Sequence, residues 1–345
     1  EIMINKEKLF TQIQNVINAN PVIVLGSGAS ISYNISSMWD LALELKTFFK
    51  DNPYSNEESQ DCINKFIDNL NAGLGLEEAL LKIKVTMEVE LKIVELVWKK
   101  IIKQDKEIYE KVKQGEEINL VSLFNHIIYG RDSAILNIVS TNYDKIAEYA
   151  ASQTDAFLNT GFSHNLRGVF FTDLNPKLYA KLKPYTGCIN IWKVHGSLDW
   201  FYRNEDIFCF PNTYDIPLGC TPCIITPGTN KYEKTQNDPH RSLLSIVDNI
   251  FNEASGFLCI GYGFNDSHVH PKLINHSKKK RVPILIVTKK ATDSIKESVM
   301  KQCSNYIIIE DDNHNGTNFW ISNEPDALNI PNEIYWTIEG LCKII

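Results

Sequence analysis

The chain has 345 residues, 43% of them hydrophobic and 22% charged, an ordinary globular composition with enough length for one large domain or two small ones. Its formal net charge of −7 argues against a surface built to neutralise phosphate backbones, so no direct nucleic-acid binding is expected. No apolar run approaches the roughly 20 residues that cross a bilayer and no charged-then-apolar leader opens the sequence, which predicts a cytoplasmic protein without a membrane partner, while a start at Glu1 rather than Met leaves room for a longer parent chain.

The first predicted element is a helix over "KLFTQIQNVINAN", whose apolar residues recur at helical spacing until Asn20 and Pro21 stop it. "VIVL" (Val22 to Leu25) reads as a buried parallel strand, broken by Gly26, Ser27 and Gly28 before "MWDLALELKTFF" resumes helical period. From about Ser36 to Gly130 almost everything reads as helix, with Pro only at Pro53, which predicts a long helical insertion over residues 36–130 within one domain spanning residues 1–345. Strands return at "AILNIVST" (Ala134 to Thr141), "CINIWKVHG" (Cys188 to Gly196), "CIITPG" (Cys223 to Gly228), "GFLCIGYG" (Gly256 to Gly263) and "VPILIVT" (Val282 to Thr288), with "NYIIIE" (Asn305 to Glu310) as an edge candidate. Helical stretches such as "RSLLSIVDNIFNEA" and "KATDSIKESVMKQC" separate several of them. Strands alternating with helices predict an α/β fold, a Rossmann-like and mostly parallel sheet flanked by helices. The basic run Lys278, Lys279, Lys280 and Arg281 reads as a solvated loop and receives no function.

In such a sheet ligands sit beyond the carboxyl ends of the strands, where strand order reverses. After the first strand comes "GSGAS" (Gly26 to Ser30), whose glycines let the backbone turn tightly and approach a phosphate at a helix start. After the second comes "STNYD", which places Asn142 and Asp144 at the strand tip, and after the third "KVHGS" places His195 beside Gly196. The strand from Gly256 runs into "GYGFND", a second glycine-rich turn with Asp266 beyond it. A dinucleotide-dependent dehydrogenase wants an acidic residue about 20 positions past its first glycine, at the tip of a second strand. Here that region is helical.

Together "GSGAS", "TNYD", "HG" and "IGYGF" resemble, in order and rough spacing, the phosphate turn, nicotinamide-pocket motif, catalytic His-Gly and ribose-binding glycine turn of the sirtuins. More closely, "SMWDL", "STNYDKIAE", "KVHGSLDW" and "IGYGFNDSHV" resemble the divergent sirtuin-like NADase branch that serves as an effector in bacterial anti-phage defence. The resemblance implies an NAD+ hydrolase with NAD as substrate and no further cofactor. It implies that Gly26, Ser27, Gly28, Ala29 and Ser30 cradle pyrophosphate, with Thr141 beside them, and that Asn142 places the ribose or the attacking water. Asp144 would recognise the carboxamide, His195 would act as general base, Gly261, Gly263 and Phe264 would line the distal ribose, and Thr288 would lie near adenine. Its implied partners are further copies of the chain in a homo-oligomer and an accessory ATPase or phage-derived activator.

Two departures separate the chain from the sirtuin deacylases. They carry two CxxC pairs in a zinc module after the His-Gly segment, whereas this chain has Cys220 and Cys223 there with Cys209 unpaired, so neither zinc nor a disulfide framework is expected. Their loop after the first glycine turn is replaced by "ISSMWD". His268, His270 and His276 in "HVHPKLINH" read as part of a helix rather than as a metal site. A sirtuin-type protein deacylase and a non-catalytic sensor of NAD or ADP-ribose remain as alternatives.

Overall fold

A computed structural model describes residues 6–131, 134–171, 176–204, 206–226 and 238–345. Helix α1 (Lys6–Asn18) buries Leu9, Ile13, Val16 and Ile17 on one face and ends where Asn20 turns into the left-handed region at φ 59°, a conformation asparagine tolerates. Strand β1 (Val22–Leu25) is buried at all four positions. On one side it pairs in parallel with β2 (Ala134–Ser140), which continues to β5 (Gly187–Lys193) and the short β3 (Phe157–Asn159). On its other side it pairs in parallel with β9 (Phe257–Ile260), followed by β10 (Ile284–Thr288) and β11 (Tyr306–Asp311). Antiparallel β12 (Thr317–Ile321) and β13 (Leu328–Ile330) complete a nine-stranded sheet. The chain thus leaves β1 in both directions, and the reversal of strand order falls at β1, as in doubly wound folds.

The period of two along β1 divides the core between the two faces of this sheet. Ile23 and Leu25 join Leu136, Ile138 and Ile189 under α1, α6 (Leu120–Ile128) and α7 (Ile146–Ser152). Val22 and Val24 join Trp192, Cys259 and Ile286 under the helices His240–Glu253 and His270–Lys280. Both faces are covered, which is why these strands read as continuous apolar runs.

The segment expected to be a helical insertion contains α2 (Met38–Asp51), α3 (Glu57–Asn71), α4 (Leu76–Leu81), α5 (Met87–Lys113) and α6. α2 begins with a reciprocal cap between Ser37 and Asp40. A third apolar cluster holds α2 to α5 together and takes in Tyr143, Leu198, Phe201 and Ile224 from outside the insertion. α6 instead lies under the main sheet, with Leu123 and Phe124 fully buried there. Leu198, Phe201 and Ile224 come from a second, four-stranded antiparallel sheet of β4 (Gly168–Val169), β6 (Gly196–Arg203), β7 (Asp206–Cys209) and β8 (Thr221–Ile224).

Several expectations change at this level. "CIITPG" is not a strand of the main sheet, because β8 ends at Ile224 and pairs with β6, while Pro227 and Gly228 lie outside the described residues. β11 is interior rather than an edge, since β12 pairs with it. The run Lys278 to Lys280 is the last turn of a helix, with Arg281 capping it at φ 54°, where cations meet the negative end of the helix dipole. Among the described residues no helix is long and apolar enough to cross a membrane.

Candidate functional site

The carboxyl ends of β1, β2, β5 and β9 meet around a cavity of about 170 Å³, whose lining includes Gly26, Ser27, Thr141, Asn142, His195 and Gly263. This is below the roughly 300–1,000 Å³ of pockets that enclose a whole drug-sized ligand, so it can enclose one end of a larger one. Six of the residues to which the resemblance assigns a role therefore share one wall system, together with Asp266. Gly28, Ala29, Ser30, Asp144, Gly261, Phe264 and Thr288 are not part of that lining.

The two glycine turns explain each other. Gly26 N–H donates to Ile260 O at 3.1 Å and Gly28 N–H to Gly261 O at 3.0 Å, while Ala29 and Ser30 donate within the turn to Gly26 O and Ser27 O. A Cβ on Gly26 would lie 2.5 Å from Gly261 O, and one on Gly28 would lie 2.6 Å from Gly261 Cα. Gly261 itself sits at φ +57°, with Ala29 N 2.3 Å from where its Cβ would be. The glycines are thus required by backbone meeting backbone, and the exposed Ser27 is what the crest of the first turn presents outward.

Asn142 ties the first turn to the tip of β2. Its side-chain amide donates to Gly26 O at 2.9 Å and to Ser30 Oγ at 3.0 Å, which leaves its Oδ1 as the polar atom it can offer a ligand. Ser30 Oγ donates in turn to Asp144 Oδ2 at 2.8 Å, and Asp144 Oδ1 accepts from Ile146 N. Asp144 is 6% exposed and, with its carboxylate oxygens on Ser30 Oγ and Ile146 N, sits behind the residues that line the cavity. Phe264, at 1% exposure, packs on Tyr262 with ring centroids 4.9 Å apart, within the apolar core on that face of the sheet. Thr288 ends β10, where its hydroxyl donates to Lys290 O.

His195 stands in the two-residue turn between β5 and β6. Gly196 closes that turn at φ +83°, and a Cβ there would meet Cys223 O at 2.0 Å. His195 O accepts from Ile225 N at 2.8 Å, and its Nε2 lies 2.5 Å from Asp266 Oδ2. The two atoms are in close contact without the alignment of a good hydrogen bond. Asp266 is itself fixed, with Oδ1 accepting from His268 N at 2.8 Å and its carbonyl from Val269 N and His270 N.

Beneath the Asn142 loop lies a buried polar layer that the sequence did not disclose. Lys193, 1% exposed, donates to the carbonyls of Tyr143 and Asp144 and pairs with Glu148 at 3.1 Å. Lys145 pairs with Asp199 at 3.3 Å. Burial alone would lower the Lys145 pKa, but the carboxylates of Asp199, Asp105 and Glu148 raise it above the usual lysine value. From α5, Asp105 accepts from Lys145 N at 2.8 Å and from the Tyr149 hydroxyl at 2.5 Å, and burial raises its pKa to about 6.

Cavity residues that sequence reasoning missed are Met38 and Glu77 of the insertion and Tyr143, Ile225, Tyr262 and Asn265, while Asp266 was noted beyond its glycine turn without a role. Asp266 carried a signal, a carboxylate just past a glycine turn. Glu77 carried none, because one acidic residue in an amphipathic helix looks like any solvated position. Among the described residues no group of three or more His, Cys, Asp or Glu could hold a metal ion. Cys223 Sγ lies 3.5 Å from His240 Nε2, and His276 Nε2 meets Ala254 O.

A mostly parallel sheet with a polar cavity at its switch point, lined by a glycine turn and a His–Asp contact, defines a Rossmann-like α/β protein with a candidate ligand site where such folds place one. Residues 136–334 match the SIR2-like domain family, more than half of the chain, and the chain belongs to that family. No curated protein matches it. Its fold is similar to that of a Sir2 homologue in complex with NAD (15% identity, 88% of each chain, TM-score 0.44). A mutant Sir2 homologue in complex with 2'-O-acetyl ADP-ribose shares 13% identity over 88% of this chain and 90% of that one, TM-score 0.45. Sir2Tm bound to a propionylated peptide shares 12% over 86% and 91%, TM-score 0.40.

Proposed function

We propose that the protein is an NAD+ glycohydrolase, releasing nicotinamide and ADP-ribose, and that it acts as an anti-phage effector by depleting NAD. The observation that carries this reading is the His195–Asp266 contact facing Asn142 across one small cavity at the switch point. The nicotinamide–ribose bond joins a cationic pyridinium to an anomeric carbon. When it breaks, the bonding pair leaves with neutral nicotinamide, and the sugar carbon takes on oxocarbenium character as in other glycosidic transition states. No strong acid is needed. Water adds to that carbon and loses a proton, which an imidazole can accept. With Asp266 on Nε2, the other ring nitrogen of His195 is the acceptor, and Asp266 stabilises the imidazolium that forms. Asn142 Oδ1 orients the ribose or the water, and Ser27 at the crest of the first turn meets the pyrophosphate.

The same proposal covers activation through homo-oligomerisation, an accessory ATPase or a phage-derived molecule, and a chain free of structural zinc. The test is incubation with NAD+, alone and with candidate activators, following nicotinamide by chromatography, with an acyl-lysine peptide and elemental analysis as parallel arms. Nicotinamide release without peptide is the expected result. Release only when acyl peptide is present, with one zinc per chain, would replace the hydrolase by a deacylase, and binding without release under every condition would make the protein a sensor.

A further inference from the structure

Strand β5 carries a single charged residue, Lys193, in a run that is buried at every position. The period of two sets its side chain on the same face as Ile189 and Ile191, under α7. An ammonium has three protons to donate, and Lys193 has three acceptors: Tyr143 O at 3.0 Å, Asp144 O, and Glu148 Oε1 of α7 at 3.1 Å. Two of these are main-chain carbonyls of the loop that begins with Asn142, and the strand itself runs two residues further into His195. The ammonium therefore joins the two segments that face one another across the cavity. Other bonds hold the loop elsewhere, with Asn142 N donating to Ser140 Oγ at 3.1 Å, Leu198 N to Tyr143 O at 3.1 Å and Lys145 N to Asp105 at 2.8 Å. Lys193 reaches it from the strand of His195. An apolar side chain would fill this space with no charge to desolvate, and a buried ion pair commonly adds nothing to stability over apolar residues of similar volume. What the ammonium supplies is a fixed spacing of loop and strand.

Resting on the hydrolase reading, we infer that Lys193 is a positioning residue that fixes Asn142 against His195 through the carbonyls of Tyr143 and Asp144, and that Glu148 serves only to balance its charge. Lys193 is not part of the cavity lining, so it acts through the backbone and not on the ligand. Misplacing a reacting group by about 1 Å can cost 10²-fold in rate. Losing the clamp should therefore show in turnover before it shows in stability.

Lys193→Met alone would leave the Glu148 carboxylate buried without a counter-charge, which is strongly destabilising. The test therefore combines it with Glu148→Gln, and uses Glu148→Gln by itself as the control, since an amide oxygen still accepts from the ammonium. Circular dichroism establishes that each chain is folded. Single-turnover release of nicotinamide from NAD+ should fall about 10- to 100-fold in the combined variant and by no more than about threefold in the control. Added to Asn142→Ala, the combined change should lower the rate by less than about twofold further, because residues that act through one another do not add. A general loosening of the fold would instead lower it by the same factor in both backgrounds. NAD+ affinity measured by calorimetry should show the same non-additivity, with a fall of about fivefold in the combined variant. Hydrogen exchange across residues 141–146, read without ligand, should quicken in the combined variant and hold steady in the control. A wild-type rate or unchanged exchange in the combined variant, a loss in Glu148→Gln as large as in the combined variant, or additive losses beside Asn142→Ala overturns the assignment. A wild-type chain that never releases nicotinamide loses the hydrolase reading, while affinity and exchange still decide the clamp.

Discussion

His195 is held from three sides, by Gly196 in its turn, by Ile225 on its carbonyl and by Asp266 on its ring. None of these supports runs through the glycine turns, so removing the imidazole should leave nucleotide binding largely intact. We expect His195→Ala to lower single-turnover cleavage of NAD+ by about 10²- to 10⁴-fold, the usual worth of a general base, with affinity for NAD+ changed by no more than a few-fold. Asn142→Ala should differ in kind. It releases Gly26 O and Ser30 Oγ together, so rate and affinity should both fall. Calorimetry beside stopped-turnover kinetics separates the two variants, and a His195→Ala protein that keeps its rate at saturating NAD+ would remove the imidazole from the chemistry. At this scale His195 and Asn142 were legible in the sequence because each directly follows an apolar strand. Asp144 and Phe264 follow strands too, yet their side chains turn inward, a choice made by backbone geometry: Phe264 sits at φ 58°, which drives its ring into the core.

Among the elements, the two glycine turns form a single backbone-to-backbone joint between β1 and β9. A methyl group on Gly28 has nowhere to go, because the atoms it meets are main chain and cannot rotate away. Gly28→Ala should therefore destabilise the protein by about 1–3 kcal/mol, the range for overpacking a filled interior, and weaken NAD+ binding as the joint opens. Denaturant titration measures the first effect. Unchanged stability with lost binding would mean that the glycine serves a phosphate and not its neighbour. The strand–turn–helix pattern was readable from residues Pro21 to Phe49, but the reason for its glycines was not, since the partner turn is more than two hundred residues away in sequence. The short strands β3, β4 and β7 were equally hidden, being two to four residues long, too short for a period of two to register.

For the molecule as a whole, the helical insertion is bound into the site rather than laid over it. Trp98 of α5 donates to Leu198 O at 2.8 Å and packs edge-on against Phe201, and Asp105 reaches from the same helix to the start of α7. That carboxyl links stability to pH. Its folded pKa of about 6 stands above the ordinary value of 3.8 because it is buried, so the folded chain holds its proton more tightly than the unfolded one. The contribution is fully present below pH about 4 and is lost as pH rises through about 6, amounting to roughly 3 kcal/mol for a shift of about two units. Asp105→Asn keeps an acceptor for Lys145 N and cannot ionise. Urea midpoints at pH 4 and pH 7 should show wild type losing about that much more than the variant across the interval, and parallel profiles would mean that the carboxyl titrates as it does in the unfolded chain.

By itself the sequence determined the alternation of strand and helix, the placement of glycine, amide and imidazole at strand ends, and membership of the chain among sirtuin-like proteins, because each is written in residues close together along the chain. Only the tertiary structure decided that two distant glycine turns interlock, that Asp266 reaches His195, that Lys193 and Asp105 clamp the Asn142 loop from beneath, and that Glu77 enters the cavity from the insertion. The physical reason is common to all four. Apolar periodicity and turn chemistry are local constraints that one segment can satisfy alone, whereas a buried polar contact is settled only when two segments pack and each must find the partner that water no longer supplies.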